Sequence, residues 1–166
     1  MDAATIIKTL DMQILPDEGG YFSIKYRSED NIPAGVLEHA GPRCLYGTIY
    51  YLETKDQFSA MHQLPIDEVY YFHMGDPLEM LILNPDGKSE VRYLGLDILG
   101  NEEPQIRVPK NAIHGSRPIT TGDQGFSLIS TSMSPGFEDR DPVFPSQKEL
   151  TQDYPDFSTL IHSLTR

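Results

Sequence analysis

Two hydrophobic periods succeed each other along the chain. Ile6, Ile7 and Leu10 recur at helical spacing behind Asp2, a residue suited to an N-cap, so a short helix is expected over residues 3–10, with Pro16 and Gly19-Gly20 closing that segment. From Tyr21 onward apolar and polar positions alternate and β-forming side chains dominate, as in half-buried strands. Eight strands are predicted, over residues 21–27, 45–53, 58–63, 69–73, 78–83, 90–94, 105–108 and 126–133. Turn-forming groups separate them: Pro65, Gly75-Asp76-Pro77, Asn84-Pro85-Asp86-Gly87, Gly122-Asp123 and Gly125. No helix-length segment divides one strand from the next, which argues against a parallel sheet with crossover helices. The expected class is all-β, a mostly antiparallel sandwich or barrel.

The flanks read differently. Residues 31–43 hold few β-formers and are expected to be a mobile loop, while residues 134–145, rich in Pro, Asp and Glu, read as an irregular surface segment. Residues 147–164 suit one or two short helices interrupted at Pro155 and packed on the outside of the barrel. Neither an internal repeat nor a linker divides the chain, so residues 1–166 are expected to form a single domain, with a barrel core over about 18–137 and a helical tail over about 146–164.

Composition narrows the function classes. With 166 residues, 39% of them hydrophobic and 23% charged, the chain can bury a core without disulfides or a structural metal. Thirteen Lys and Arg against 25 Asp and Glu give a net charge of −12, which argues against nucleic acid and anionic membrane surfaces as partners. The single cysteine, Cys44, starts an apolar run and reads as a small buried thiol. Asp2 and Lys8 interrupt any apolar leader, and no stretch approaches a membrane-spanning length, so a cytoplasmic location is expected.

The candidate chemistry gathers at His62 and Glu68. Pro65 lies midway between them, so a hairpin centred there would set the two residues opposite each other, with Cβ atoms about 4.5–5.5 Å apart. The same register pairs Ala60 with Tyr70 and Phe58 with Phe72, giving one face an acid, a histidine and aromatics. His73 falls on the opposite phase and is a poor co-ligand. Tyr50 and Tyr70 add phenolic donors on strands expected to line the barrel. Ser59 has no nucleophile elbow, Gly19-Gly20 no phosphate-cradling context, and Cys44 no electropositive neighbour beyond Arg43.

Two motifs carry a resemblance. Glu68 and Gly75, with six residues between them, resemble the first cupin motif, and Pro109, Asn111 and His114 resemble the second. More narrowly, the chain resembles the cupin family whose members mostly carry the label of unknown function. The matching segments are Glu18-Gly19-Gly20-Tyr21-Phe22, Tyr26-Arg27-Ser28, Ile49-Tyr50-Tyr51-Leu52, Asp67-Glu68, Gly75-Asp76-Pro77-Leu78, Leu94-Gly95-Leu96-Asp97, Pro104-Gln105 with Val108-Pro109, and Ser134-Pro135-Gly136-Phe137. The resemblance implies a double-stranded β-helix, the cupin jelly-roll barrel also found in deoxysugar-nucleotide epimerases and seed-storage cupins, and a homodimer; strand 21–27 is the edge expected to meet a second copy. Metal-binding cupins usually carry a second histidine where this chain has Ala60, so at most three of the usual four ligands remain. Many members of the narrower family have an apolar residue in place of His114.

Three functions follow from these residues. The first is an enzyme of isomerisation, epimerisation or related proton transfer on a small polar metabolite, with His62 and Glu68 catalytic and Tyr50, Phe58, Tyr70, Phe72 and His114 around the ligand. The second is a metal-dependent dioxygenase or lyase, with one divalent transition metal (Fe, Mn, Ni or Zn) on His62, Glu68 and His114. The third is a non-catalytic module that binds a metabolite in the aromatic pocket.

Overall fold

The computed structural model describes residues 1–36, 41–119 and 122–166. Asp2 Oδ1 accepts the Thr5 backbone N–H at 2.8 Å and starts α1 (Ala3–Thr9). Thirteen strands follow among the described residues: β1 (Gln13–Ile14), β2 (Tyr21–Arg27), β3 (Asn31–Ile32), β4 (Arg43–Cys44), β5 (Gly47–Thr54), β6 (Ser59–Gln63), β7 (Glu68–Gly75), β8 (Leu78–Leu83), β9 (Ser89–Leu94), β10 (Glu102–Glu103), β11 (Gln105–Val108), β12 (Ile113–Pro118) and β13 (Phe126–Met133). The chain closes with α2 (Gln147–Asp153) and α3 (Ser158–Ser163), parted by a short 3₁₀ turn beginning at Pro155, where the proline interrupts the helical run as expected.

The strands form a six-stranded sheet ordered β1-β2-β5-β13-β7-β11 and a five-stranded sheet ordered β10-β9-β8-β12-β6. Pairing is antiparallel except between β9 and β10. Tyr51, Tyr70 and Ile129 from the first sheet meet Leu78, Met80 and Ile82 from the second in a shared core. The outer faces are covered too. Helix α1 lies against Leu52, Phe126 and Leu128 of the first sheet, while Leu150, Ile161 and Leu164 pack on Met61, Leu81 and Leu83 of the second. Covering on both sides explains why β8 reads Leu-Glu-Met-Leu-Ile-Leu instead of alternating: its Leu81 and Leu83 face the helices, and its Leu78, Met80 and Ile82 the interior.

Each of the eight expected strands has its counterpart, but two expectations are corrected. The hairpin at Pro65 does not form: β6 pairs with β12, whereas β7 pairs with β11 and β13, so the chain crosses from one sheet to the other over residues 64–67. Leu64 and Ile66 bury beside Met133 at the end of the sandwich, which draws the connection across instead of back. The cross-strand pairs Ala60 with Tyr70 and Phe58 with Phe72 are therefore absent; Tyr70 pairs with Ile106 and Thr131. The second correction is β12, which carries His114 and was not among the predicted strands. Its sequence, Ile-His-Gly-Ser-Arg-Pro, is poor in β-formers because Gly115 must lie close to β6: a Cβ there would come within 2.9 Å of the Ser59 carbonyl oxygen.

Residues 134–145 are pinned, not loosely draped. Arg43 makes two 2.5 Å hydrogen bonds to the Asp141 carboxylate with both side chains buried, and Val143 bridges to Gln63. Cys44 is buried as expected. Of the loop expected to be mobile, residues 37–40 lie outside the described residues, and its ends pair as β3 with β4. No described helix is long and apolar enough to cross a membrane.

Candidate functional site

β6 and β12 lie side by side with His62 opposite His114, their ring centroids 4.2 Å apart. Glu68 opens β7 on the facing sheet, and one ligand atom from each of His62, Glu68 and His114 lies within 4.8 Å of the others, all three residues being buried. His114 Nε2 is 3.3 Å from Glu68 Oε2. The Tyr70 hydroxyl donates to the same Glu68 oxygen at 3.0 Å and sits 3.0 Å from His114 Nε2. On the other ring, His62 Nδ1 lies 2.8 Å from the Ala60 carbonyl oxygen. A carbonyl oxygen can only accept, so Nδ1 carries a proton, which places the lone pair of the neutral tautomer on Nε2. His114 Nδ1 is buried with no hydrogen-bond partner.

This fold and this motif spacing agree with the sequence comparison, in which the family model described as Cupin superfamily (DUF985) matches residues 4–144. The chain belongs to this family. A hypothetical protein from Leishmania major is 31% identical over 99% of both chains, with a TM-score of 0.88. A protein from Shewanella oneidensis is 34% identical over 100% of this chain and 98% of its own, with a TM-score of 0.87. Bacillus subtilis oxalate decarboxylase, an enzyme with Mn(II) centres, shares the fold at 12% identity over 93% of this cupin and 37% of its own chain, with a TM-score of 0.53. No curated protein matches the sequence. The double-stranded β-helix implied by the motifs is thus the fold of this cupin.

A cavity of about 410 Å³ opens in the cupin barrel, with Glu18, Tyr51, Glu68, Tyr70 and Thr131 among its polar residues deep in the fold and apolar walls that include Phe22, Ile49 and Met133. Glu18 and Tyr51 were not singled out from the sequence as site residues. Glu18 comes from the turn between β1 and β2, where Asp17, Gly19 and Gly20 all have positive φ (64°, 94° and 67°). A Cβ at Gly20 would sit 2.5 Å from the Tyr51 ring, so glycine is needed both for the backbone angle and for the close approach. The turn drives the Glu18 carboxylate inward, where Oε1 accepts from the Tyr51 hydroxyl at 3.0 Å and from Ser59 Oγ at 2.9 Å.

The expected site residues divide between several environments. Glu68 and Tyr70 line the cavity; His62 and His114 are buried beside Glu18 and Glu68 without lining it. Phe72 packs in the shared core. Tyr50 is displaced from its expected place: it sits on the outer face, in the cluster under α1 and edge-on to the His73 ring, and the inward tyrosine of β5 is Tyr51. The pair Tyr50-Tyr51 gives no clue to phase, because both residues are amphipathic. Phe58 packs instead in the cluster beneath the C-terminal helices, against which Arg166 also lays its guanidinium. His73 faces outward as expected and bonds Ser130.

Protonation follows from burial and neighbours. Burial pushes the Glu68 carboxyl up, but its hydrogen bond to His114 and the charge of both imidazoles outweigh this and hold it below the usual range. Burial, reinforced by His62, pulls the His114 imidazole down against the opposing pull of Glu68. Near neutral pH this leaves an ionised carboxylate beside a neutral imidazole. Burial also raises the Tyr51 and Tyr70 hydroxyls, with nearby carboxylates adding to it.

A third buried acid, Glu53, was also missed by the sequence reading. It accepts from Ser116 Oγ at 2.6 Å and the Ser59 N–H at 3.2 Å, yet burial still lifts its carboxyl from 4.5 to about 8. The folded chain therefore keeps a proton that the unfolded chain loses. This contribution to stability is complete below about pH 4.5, falls as pH rises, and is gone above about pH 8, at about 1.4 kcal/mol for each pH unit between the two values as an upper bound. Glu53→Gln, which can accept from the Ser59 N–H and donate to Ser116, is expected to remove that slope. Urea unfolding of both proteins at about pH 5, 7 and 9 checks it: the variant gains on the wild type as pH rises.

Proposed function

We propose that this cupin holds one divalent transition-metal ion between His62, Glu68 and His114 and uses it on a small molecule in the barrel cavity. The observation that carries this reading is the convergence of three buried ligand atoms within 4.8 Å of one another. The donor set supports it as well. Two imidazoles and one carboxylate suit manganese, iron, nickel or zinc. The His62 Nδ1–H held by a backbone carbonyl leaves Nε2 free, the usual way a protein orients a metal-binding imidazole. His114 brings a buried nitrogen without a partner.

When bound, the ion supplies Lewis acidity toward an oxygen of the substrate. The rest falls to the chain's own groups. The apolar cavity walls exclude water and orient an apolar body, while Glu18, Glu68 and the two tyrosine hydroxyls hold the polar end. A second reading, metal-free proton transfer in an isomerisation or epimerisation, has one observation in its favour: the Tyr70 hydroxyl lies 3.0 Å from both Glu68 Oε2 and His114 Nε2 and can hold a proton between them. The homodimer belongs to this proposal too, because among the described residues no strand pairs with the outer edge of β2 beyond Phe22. Elemental analysis after purification without added metal, and again after reconstitution with manganese, iron, nickel or zinc, separates the first two readings. One ion per chain is expected. Less than about a tenth of an equivalent in every case overturns the metal reading and leaves proton transfer.

A further inference from the structure

We infer that Glu53 is a positioning residue for the site: reaching from the first sheet, it holds a β-bulge in β6 that sets His62 and His114 side by side on the second; this deepens the metal reading above and rests on it. β12 pairs His114 with His62 and then Ser116 with Ser59, so two residues of β6, Ala60 and Met61, stand opposite the single Gly115. Strict alternation would put Ser59 and His62, three positions apart, on opposite faces. The extra residue brings both inward. Met61 packs beneath the C-terminal helices on the outer face, while Ser59 Oγ bonds Glu18 and the His62 ring meets that of His114 on the inner one.

A bulge interrupts the ladder, and the buried backbone N–H groups it frees must find partners outside the sheet. Here the Met61 N–H donates to the Leu164 carbonyl at 2.8 Å, the Ala60 N–H to the Glu18 carbonyl at 2.9 Å and the Ser59 N–H to Glu53 Oε2 at 3.2 Å. Glu53 is the side chain among these three acceptors. Its other oxygen, Oε1, accepts at 2.6 Å from Ser116 Oγ on β12, two residues from His114. One buried carboxyl on β5 thus fastens both strands that carry the histidines at the rung beside the bulge, and its effect reaches the imidazoles through Ser59 and Ser116. With no acceptor in this place the Ser59 N–H is left buried and unpaired. The chain escapes that cost by drawing β6 back into regular pairing, which sets Ser59 and His62 on opposite faces again and disturbs the His62–His114 pair.

The test compares Glu53→Leu, which cannot bridge the two strands, with Glu53→Gln, which can. Two measurements are made: Co²⁺ affinity with the visible spectrum of the cobalt form, and, in the metal-free protein, nuclear Overhauser contacts between the His62 and His114 ring protons. Glu53→Leu is expected to bind Co²⁺ about 10-fold or more weakly, with altered cobalt bands and lost ring contacts, and Glu53→Gln to match the wild type in all three. Ile6→Ala, a destabilising change beneath α1, is expected to leave affinity, bands and contacts as they are, which separates positioning from lost stability. Wild-type affinity and intact ring contacts in Glu53→Leu overturn the inference while the three-residue site stands. A wild type that takes up no cobalt overturns the metal reading instead, and the ring contacts then decide the role of Glu53 by themselves. Should Glu53→Leu fail to fold, Ser116→Ala, which removes the 2.6 Å bond alone, takes its place with the same expected direction and the same overturning result.

Discussion

Glu68→Gln is expected to abolish metal retention while leaving the barrel folded. Glu68 is the one carboxylate in the buried triad and is held ionised by His114, His62 and its hydrogen bonds, so its charge is the main electrostatic attraction for a cation there. Glutamine keeps the shape and can still accept from the Tyr70 hydroxyl, but it brings no charge. The loss of affinity should exceed the about 10–100-fold typical of removing a group that only supports a ligand. Turnover should vanish with it once a substrate is known. The fold should tolerate the change, because an ionised group buried at the expense of its hydration is replaced by a neutral one of equal size. Metal content per chain, with a melting curve of the metal-free protein, measures both halves. Full metal content in Glu68→Gln would remove the triad from consideration.

The second large effect is on stability. Asp141→Ala should destabilise the protein by about 3–5 kcal/mol, because it leaves the Arg43 guanidinium buried without its counter-ion. For a chain of this length that corresponds to a fall of roughly 6–20 °C in the melting midpoint. Asp141 also accepts from the Glu138 N–H at 2.9 Å, and Arg43 donates to the Gly136 carbonyl at 3.3 Å, so the pair fastens the segment that contributes Phe137 and Asp139 to the cavity wall. Ligand binding should weaken along with stability. The double variant Arg43→Met with Asp141→Leu should recover much of the loss, since two apolar side chains carry no desolvation cost. Thermal and urea unfolding of the single and double variants test this; a single variant as stable as the wild type would show that the pair contributes nothing.

Much of the fold was legible because it is written in local periods. Alternation located eight strands, and Asp2 and Pro155 marked where helices begin or break. The misreadings at the site share one origin. A connection of four residues, 64–67, is compatible with a hairpin or with a crossing between sheets, and only the burial of Leu64 and Ile66 against Met133 chooses. Period two states that Tyr50 and Tyr51 face opposite ways without stating which is inside; the apolar underside of α1 takes Tyr50. Glu53 looked like an ordinary strand end, although nothing local shows that Ser59 and Ser116 would close over it.

The sequence by itself determined the cupin family, the jelly-roll class and three residues with metal-binding chemistry, since motif spacing and strand alternation are properties of neighbouring positions. Tertiary structure decided the partnerships among them. His62 stands beside His114 instead of opposite Glu68, Glu68 meets His114 and Tyr70 across the sandwich, and Glu18 arrives from a turn more than forty residues earlier in the chain than His62. Such pairings depend on which sheet each strand joins, and that choice is made by the summed burial of both faces of both sheets, a quantity no local stretch of sequence contains.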